Sequence, residues 1–145
     1  MVTKIYFRLI NVLLLTMFVL STPLQAQFGL TKSDIAGKKG WNYKTGKTTE
    51  DNVEYIYYEL ETKNASGEKY IYVEVFYFND KGYCYQKKIM EPIEEINAWV
   101  KYYNKEYKEY VSLGNMRWKD YNSGVVYRIE KDDKIVIVTS FWEGI

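Results

Sequence analysis

The sequence predicts an α+β fold in which helices cover one face of an antiparallel sheet. Segments rich in tyrosine, valine, isoleucine and phenylalanine, which suit half-buried strands, alternate with short turn sequences. An amphipathic stripe follows Pro92, and a helix-capping motif lies at residues 31–34. Together these observations predict the element order helix, three strands, helix, three strands.

The first helix begins at the capping motif. The Thr31 hydroxyl can accept a hydrogen bond from the backbone amide of Asp34, whose carboxylate can reach back to the amide of Thr31. Gly40 is a natural end for this helix. Residues 41–52 are polar and predict a loop, and the three strands of this half then cover residues 53–60, 70–78 and about 83–89.

The second half repeats this pattern. Pro92 suits the first turn of a helix. Apolar residues then recur at spacings of three and four, at Ile93, Ile96, Val100, Tyr103 and Tyr107. Strands are predicted at residues 116–121, 125–130 and 135–142, which gives two pseudo-equivalent halves.

Residues 1–26 have the features of a cleavable secretory signal peptide. Lys4 and Arg8 precede a short apolar stretch that is too brief to span a bilayer, and Ala26 offers a small residue at the cleavage site. We therefore expect a secreted or periplasmic protein, cleaved near Ala26, whose residues 27–145 form one α+β domain without a stable membrane span.

Composition excludes several classes of function. Removal of Lys4 and Arg8 leaves 18 of the 20 basic residues against 19 acidic ones, so no basic excess attracts nucleic acid. The chain has no histidine, which removes the commonest general base, and its one cysteine, Cys84, cannot build a thiolate metal site. We expect no catalytic residues, no metal and no cofactor. Cys84 is either buried in a strand or available for an intermolecular bond, and we expect burial.

Aromatic residues are the unusual feature of this chain. It has 16 tyrosines, 6 phenylalanines and 4 tryptophans, and only three of these 26 lie in the first 26 residues. Tyrosine combines a large apolar area with a polar tip and is enriched at interfaces, although it also serves simply as half-buried sheet filler. The predicted binding surface for a protein, peptide or glycan of the cell envelope consists of Tyr55, Tyr57, Tyr70 and Tyr72, taken as one sheet face.

These features predict an exported, non-catalytic binding or envelope-assembly module that uses an aromatic-rich sheet face, and two other functions compete with it. A carboxylate-based enzyme acting on an extracellular polymer requires two of Glu59, Glu74 and Glu130 to converge in one cleft. A homo-oligomeric structural component requires a free sheet edge, for which the last strand, residues 135–142, is the candidate.

Gly29, Thr31, Asp34 and Ile35 lie at the start of the first predicted helix. This opening resembles that of small bacterial envelope proteins of the small-protein-A and outer-membrane-lipoprotein-A type, whose fold is shared by the β-lactamase inhibitor protein. The resemblance implies an interaction or envelope-assembly scaffold and supplies no catalytic residues. That family usually has a glycine-x-proline after its helices, whereas here Gly40 is followed by Trp41 and Asn42, and the lipid-attachment cysteine of its envelope members is missing.

Overall fold

The computed structural model describes residues 28–64, 66–105 and 110–143. The predicted signal peptide and Tyr107 lie outside these residues. The described elements are, in chain order, α1 (Lys32–Lys39), β1 (Lys44–Lys47), β2 (Glu54–Lys63), β3 (Lys69–Phe78), β4 (Cys84–Pro92), a 3₁₀ turn (Ile93–Glu95), α2 (Ile96–Lys105), β5 (Tyr110–Gly114), β6 (Arg117–Asp120), β7 (Val125–Lys131) and β8 (Ile135–Trp142).

All the described strands belong to one antiparallel sheet of eight, in the spatial order β1-β2-β3-β4-β8-β7-β6-β5. The predicted α+β class and antiparallel sheet are therefore confirmed. The predicted order is wrong in one respect, because each helix is followed by four strands. The halves are two four-stranded meanders that meet where β4 pairs with β8.

The two strands that the sequence did not reveal lie at the rims of the sheet. β1 has the sequence Lys-Thr-Gly-Lys and falls in the segment expected to be a loop. β1 contains no apolar residue that would indicate a strand in the sequence. It joins the sheet through its backbone pairing with β2. β5 follows α2 and leads into a tight turn in which Asn115 and Met116 have positive φ angles, so β6 begins at Arg117.

Both helices pack on the same face of the sheet, which we call the helix-covered face. From α1, Ile35 is 1% exposed and contacts β2, β3 and β4 through a core made of Ile35, Ile56, Tyr58, Phe76, Phe78 and Cys84. From α2, Tyr103 is 1% exposed and joins a second core made of Ile89, Tyr103, Trp118, Val125, Tyr127, Ile129, Val136 and Val138. The opposite side, the open face, is covered by neither helix.

The start of α1 has the predicted geometry. Asp34 donates its backbone amide to the Thr31 hydroxyl at 3.3 Å, and the Asp34 carboxylate accepts from the Thr31 amide at 2.9 Å. The Thr31 hydroxyl also donates to the Asp34 carboxylate at 2.7 Å, and this bond together with the one from the Thr31 amide lowers the pKa of Asp34. Two backbone amides at the helix terminus are thereby satisfied.

The last strand is not an edge. β8 pairs with β4 on one side and with β7 on the other, so the rims of the described sheet are β1 and β5. The prediction that Ile135–Trp142 offers a free edge to a second copy is therefore wrong. The buried residues of β8 include Val136, Val138 and Ser140, which alternate along the strand and lie on the helix-covered face.

Candidate functional site

The open face has a tyrosine-rich half, built on β2 and β3. Tyr55 lies opposite Tyr77, and Tyr57 lies opposite Val75. The centroid of the Tyr55 ring is 6.2 Å from that of Tyr57 and 5.6 Å from that of Tyr77. We call Tyr55, Tyr57 and Tyr77 the tyrosine cluster. All three side chains are half-buried, so each presents ring surface to solvent.

A groove of about 630 Å³ lies against the tyrosine cluster. Its floor includes the three tyrosines with Val73, Val75 and Met90, and one wall is formed by residues 47–51, which belong to β1 and the β1–β2 turn. Apolar ring surface beside a polar wall is the usual composition of a binding site that both buries and orients its ligand. The groove therefore combines apolar ring surface with polar side chains on the open face.

Cations frame the tyrosine cluster. The Lys44 ammonium lies 5.6 Å from the centroid of the Tyr57 ring, and the Lys88 ammonium lies 5.5 Å from that of Tyr77. These distances are within the range of cation–π attraction. Burial raises the pKa of Tyr77, with a further contribution from Tyr55, so its hydroxyl stays protonated at neutral pH.

Gly46 allows the Tyr55 ring to lie flat across β1. A β-carbon at position 46 would be 2.4 Å from the Tyr55 hydroxyl oxygen and 2.5 Å from its ring carbon Cζ. No side chain fits at those distances unless the ring moves away. The glycine in this short edge strand is thus explained by the position of the tyrosine that it supports.

The predicted binding residues do not share one face. Tyr55 and Tyr57 lie on the open face, whereas Tyr70 and Tyr72 lie on the helix-covered face, opposite Thr62 and Leu60. The Tyr70 hydroxyl donates to the Glu91 carboxylate at 3.1 Å, and burial together with Glu91 raises the pKa of Tyr70 to about 12. Tyr72 packs against the second core. The prediction that these four form one surface is wrong, and the open face instead places Tyr77, which the prediction did not include, opposite Tyr55.

The three candidate carboxylates do not converge. Glu74 is on the helix-covered face, whereas Glu59 and Glu130 are on the open face, on β2 and β7. These two strands are four positions apart in the sheet, roughly 19 Å at about 4.8 Å per strand. Glu59 pairs with Lys44 at 2.8 Å, and Glu130 pairs with Arg128 at 3.1 Å. The carboxylate pair expected for a glycosidase is absent from these three positions, since such pairs are at most about 9.5 Å apart.

Glu74 instead holds a buried charge triad beneath α1. Its carboxylate binds the ammonium groups of Lys39 and Lys87, the latter at 2.6 Å, and Glu74 and Lys87 are only 5% and 4% exposed. Burial alone would raise the pKa of Glu74, but the two lysines hold it below its ordinary value. For Lys87 burial prevails over the attraction of Glu74 and lowers its pKa. The triad joins α1 to the centre of the sheet.

Cys84 is buried, as predicted, and is 1% exposed. Burial raises the pKa of its thiol to about 12, so the reactive thiolate is scarce at neutral pH. We expect a water-soluble maleimide to label Cys84 in the native protein about two orders of magnitude more slowly than in denaturant. Mass spectrometry of timed samples measures both rates, and equal rates would contradict the burial.

Among the residues that the structure describes, no group of three or more histidine, cysteine, aspartate or glutamate side chains could hold a metal ion. No helix in the described ranges is both long enough and apolar enough to cross a membrane. Comparisons of the chain with protein-family models, with curated proteins and with solved structures find no match.

Proposed function

We propose that this chain is an exported, non-catalytic binding module that docks a protein, peptide or glycan of the cell envelope on its open face. The observation that carries the proposal is the tyrosine cluster, whose three rings line a groove of about 630 Å³ on the side that neither helix covers. Export rests on the charged and apolar segments of residues 1–26.

Several properties of the groove favour binding over simple sheet filling. Tyrosine rings bury a large area at a small cost in side-chain entropy, and their hydroxyl groups remain available for hydrogen bonds. Gly46 leaves room for the Tyr55 ring, and the ammonium groups of Lys44 and Lys88 lie near the rings of Tyr57 and Tyr77, so the aromatic surface is formed before a partner binds. A preformed aromatic surface of this kind suits a peptide segment or a sugar ring.

The resemblance to small envelope proteins supports the assembly form of the same proposal. Thr31 and Asp34 make the capping contacts at the position where the resemblance lies. An envelope-assembly scaffold acts through a docking surface, which the tyrosine cluster and its groove would provide.

The double variant Tyr55→Ala/Tyr57→Ala tests the proposal. We expect it to reduce the amount of any envelope component that co-purifies with the tagged wild-type protein by roughly 10- to 100-fold, because central aromatic anchors dominate interfaces. Quantitative mass spectrometry of the purified complexes measures the loss. Circular dichroism and thermal melting check that the variant is folded.

Tyr121→Ala is the matched control. Tyr121 is 62% exposed and lies in the turn after β6, outside the groove. The Tyr121→Ala substitution removes a side chain of the same kind and should leave retention of the partner unchanged. A folded Tyr55→Ala/Tyr57→Ala protein that keeps its partner as well as Tyr121→Ala does would refute the open face as the docking surface.

A further inference from the structure

A line of cationic and hydroxyl side chains crosses the other half of the open face. Lys88 on β4, Thr139 on β8, Arg128 on β7 and Arg117 on β6 are successive partners in the sheet register. We call these four residues the basic row. Beyond Arg117 the next partner is Gly114, which has no side chain and leaves that end of the row open.

The basic row contains polar atoms that lack partners. The Nε atoms of Arg117 and Arg128 and the Oγ1 atom of Thr139 are buried and make no hydrogen bond to any described residue. Thr139 is 2% exposed and stands between Lys88 and Arg128 in the register. Buried polar atoms are nearly always paired in native proteins, so these three atoms offer hydrogen-bonding capacity that the described residues do not use.

The charges of the row point to the sign of that ligand. Arg117 and Arg128 are direct cross-strand partners, and like charges placed opposite one another are destabilising. Arg128 pairs with Glu130 at 3.1 Å, but neither Arg117 nor Lys88 forms an ion pair with a described residue. The nearby Lys119 is already neutralised by Glu143 at 2.7 Å. The row therefore carries an excess of positive charge.

We propose that the basic row binds an oxyanion, a carboxylate or phosphate group carried by the partner that docks on the open face. Guanidinium groups offer paired donors that match both oxyanions, and Arg117, Arg128 and Lys88 have donors only. The negative charge of a bound oxyanion would offset the repulsion between the two guanidinium groups. Its oxygens would also accept hydrogen bonds from the Nε–H groups of both arginines. The proposal rests on the proposed function in taking the open face as the docking surface.

The position of the row further defines the partner. Lys88 contacts the ring of Tyr77 and so links the row to the tyrosine cluster. In the same register line, Tyr57 lies two strands from Lys88 and four strands from Arg128. At about 4.8 Å per strand, the anionic group of the partner lies roughly 10–19 Å from the part that packs on Tyr57.

Arginine Nε–H resonances provide a direct test. The chain contains three arginines, of which Arg117 and Arg128 are in the basic row and Arg8 is in the predicted signal peptide. Inorganic phosphate and succinate are titrated separately, at constant ionic strength and mildly acidic pH, into the ¹⁵N-labelled protein. We expect saturable shifts of the Arg117 and Arg128 Nε–H signals, and the anion that binds more tightly distinguishes phosphate from carboxylate.

Variants locate the effect. Arg117→Gln should weaken binding of the preferred anion at least tenfold, as read from the Arg128 signal. Lys119→Gln, which removes a neighbouring cation that is already paired, should leave the affinity unchanged. Shifts that do not saturate with either anion, or that are the same in Arg117→Gln, overturn the inference.

The titration involves no partner, so its outcome is independent of the docking experiment. Loss of the partner in Tyr55→Ala/Tyr57→Ala without any anion-dependent shift overturns the oxyanion site alone. A saturable shift together with full retention of the partner in that variant overturns the docking surface alone.

Discussion

Replacing Glu74 by glutamine is expected to lower the free energy of unfolding by about 3–5 kcal/mol, because it leaves buried lysine charge without its carboxylate. Lys87 is 4% exposed, and its ammonium group lies 2.6 Å from the Glu74 carboxylate that the substitution removes. The ammonium groups of Lys39 and Lys87 lie 5.8 and 5.5 Å from the centroid of the Phe76 ring. Urea unfolding of the variant and the wild-type protein measures the difference.

The double variant Glu74→Leu/Lys87→Met separates charge burial from packing. It removes both deeply buried charges, and Lys39, whose side chain is 24% exposed, can turn its ammonium towards water. We expect its stability to lie within about 1–2 kcal/mol of the wild type, because a buried ion pair contributes little more than apolar residues of similar volume. A double variant as unstable as Glu74→Gln would show that the triad itself holds the fold together.

The acid stability of the protein should depend on the same carboxylate. The folded-state pKa of Glu74 lies below its ordinary value of 4.5. Its contribution is therefore fully present above about pH 4.5 and is lost as the pH falls through the folded-state pKa. We expect the free energy of unfolding of Glu74→Gln to fall less steeply in this acid range than that of the wild type.

Replacing Trp118 by alanine is expected to cost about 3–5 kcal/mol, the usual range for a large aromatic residue in a core. Trp118 is 5% exposed and stacks on Tyr103, with ring centroids 5.2 Å apart. Its indole nitrogen donates to the Asn104 side chain at 3.1 Å. The substitution therefore leaves a cavity between α2 and the sheet and an amide oxygen without this donor.

Trp41→Ala is the control for this prediction. Trp41 is 68% exposed and follows α1, so its removal should change stability by no more than about 0.5 kcal/mol. Thermal and urea unfolding compare the two variants. Equal losses would mean that the second core contributes less to the fold than its burial implies.

Local sequence features predicted most elements of this fold. Thr31 and Asp34 form the expected cap, the amphipathic stripe after Pro92 corresponds to α2, and Ile135–Trp142 is a strand with the expected bounds. In each case the information lies within a few consecutive residues. Capping contacts, helical periodicity and strand composition are all local properties.

Strand register was the information that the sequence lacked. Both faces of β3 are largely apolar, so alternation could not decide which face turns towards the helices. The β2–β3 connection sets the register by pairing Lys63 with Lys69, which places Ile56 opposite Phe76. That pairing puts Tyr55 and Tyr57 with Tyr77 and separates them from Tyr70 and Tyr72.

The charged sites were equally hidden because they join distant parts of the chain. Lys39 reaches Glu74 from α1, and the basic row depends on β8 lying between β4 and β7. In the sequence, each of these charged residues looks like an ordinary solvent-facing residue of its own strand or helix. Their roles become visible only when the strand order is known.

The central position of β8 also has a consequence for how the chain reaches this structure. β8 follows the other seven described strands along the chain, yet it closes the seam between the two meanders. Until residues 135–142 emerge from a ribosome or a translocation channel, β4 and β7 each have an unpaired edge that could aggregate. The long sequence separation between β4 and β8 also slows folding. We therefore expect the two meanders to join only after synthesis or translocation of this region is complete.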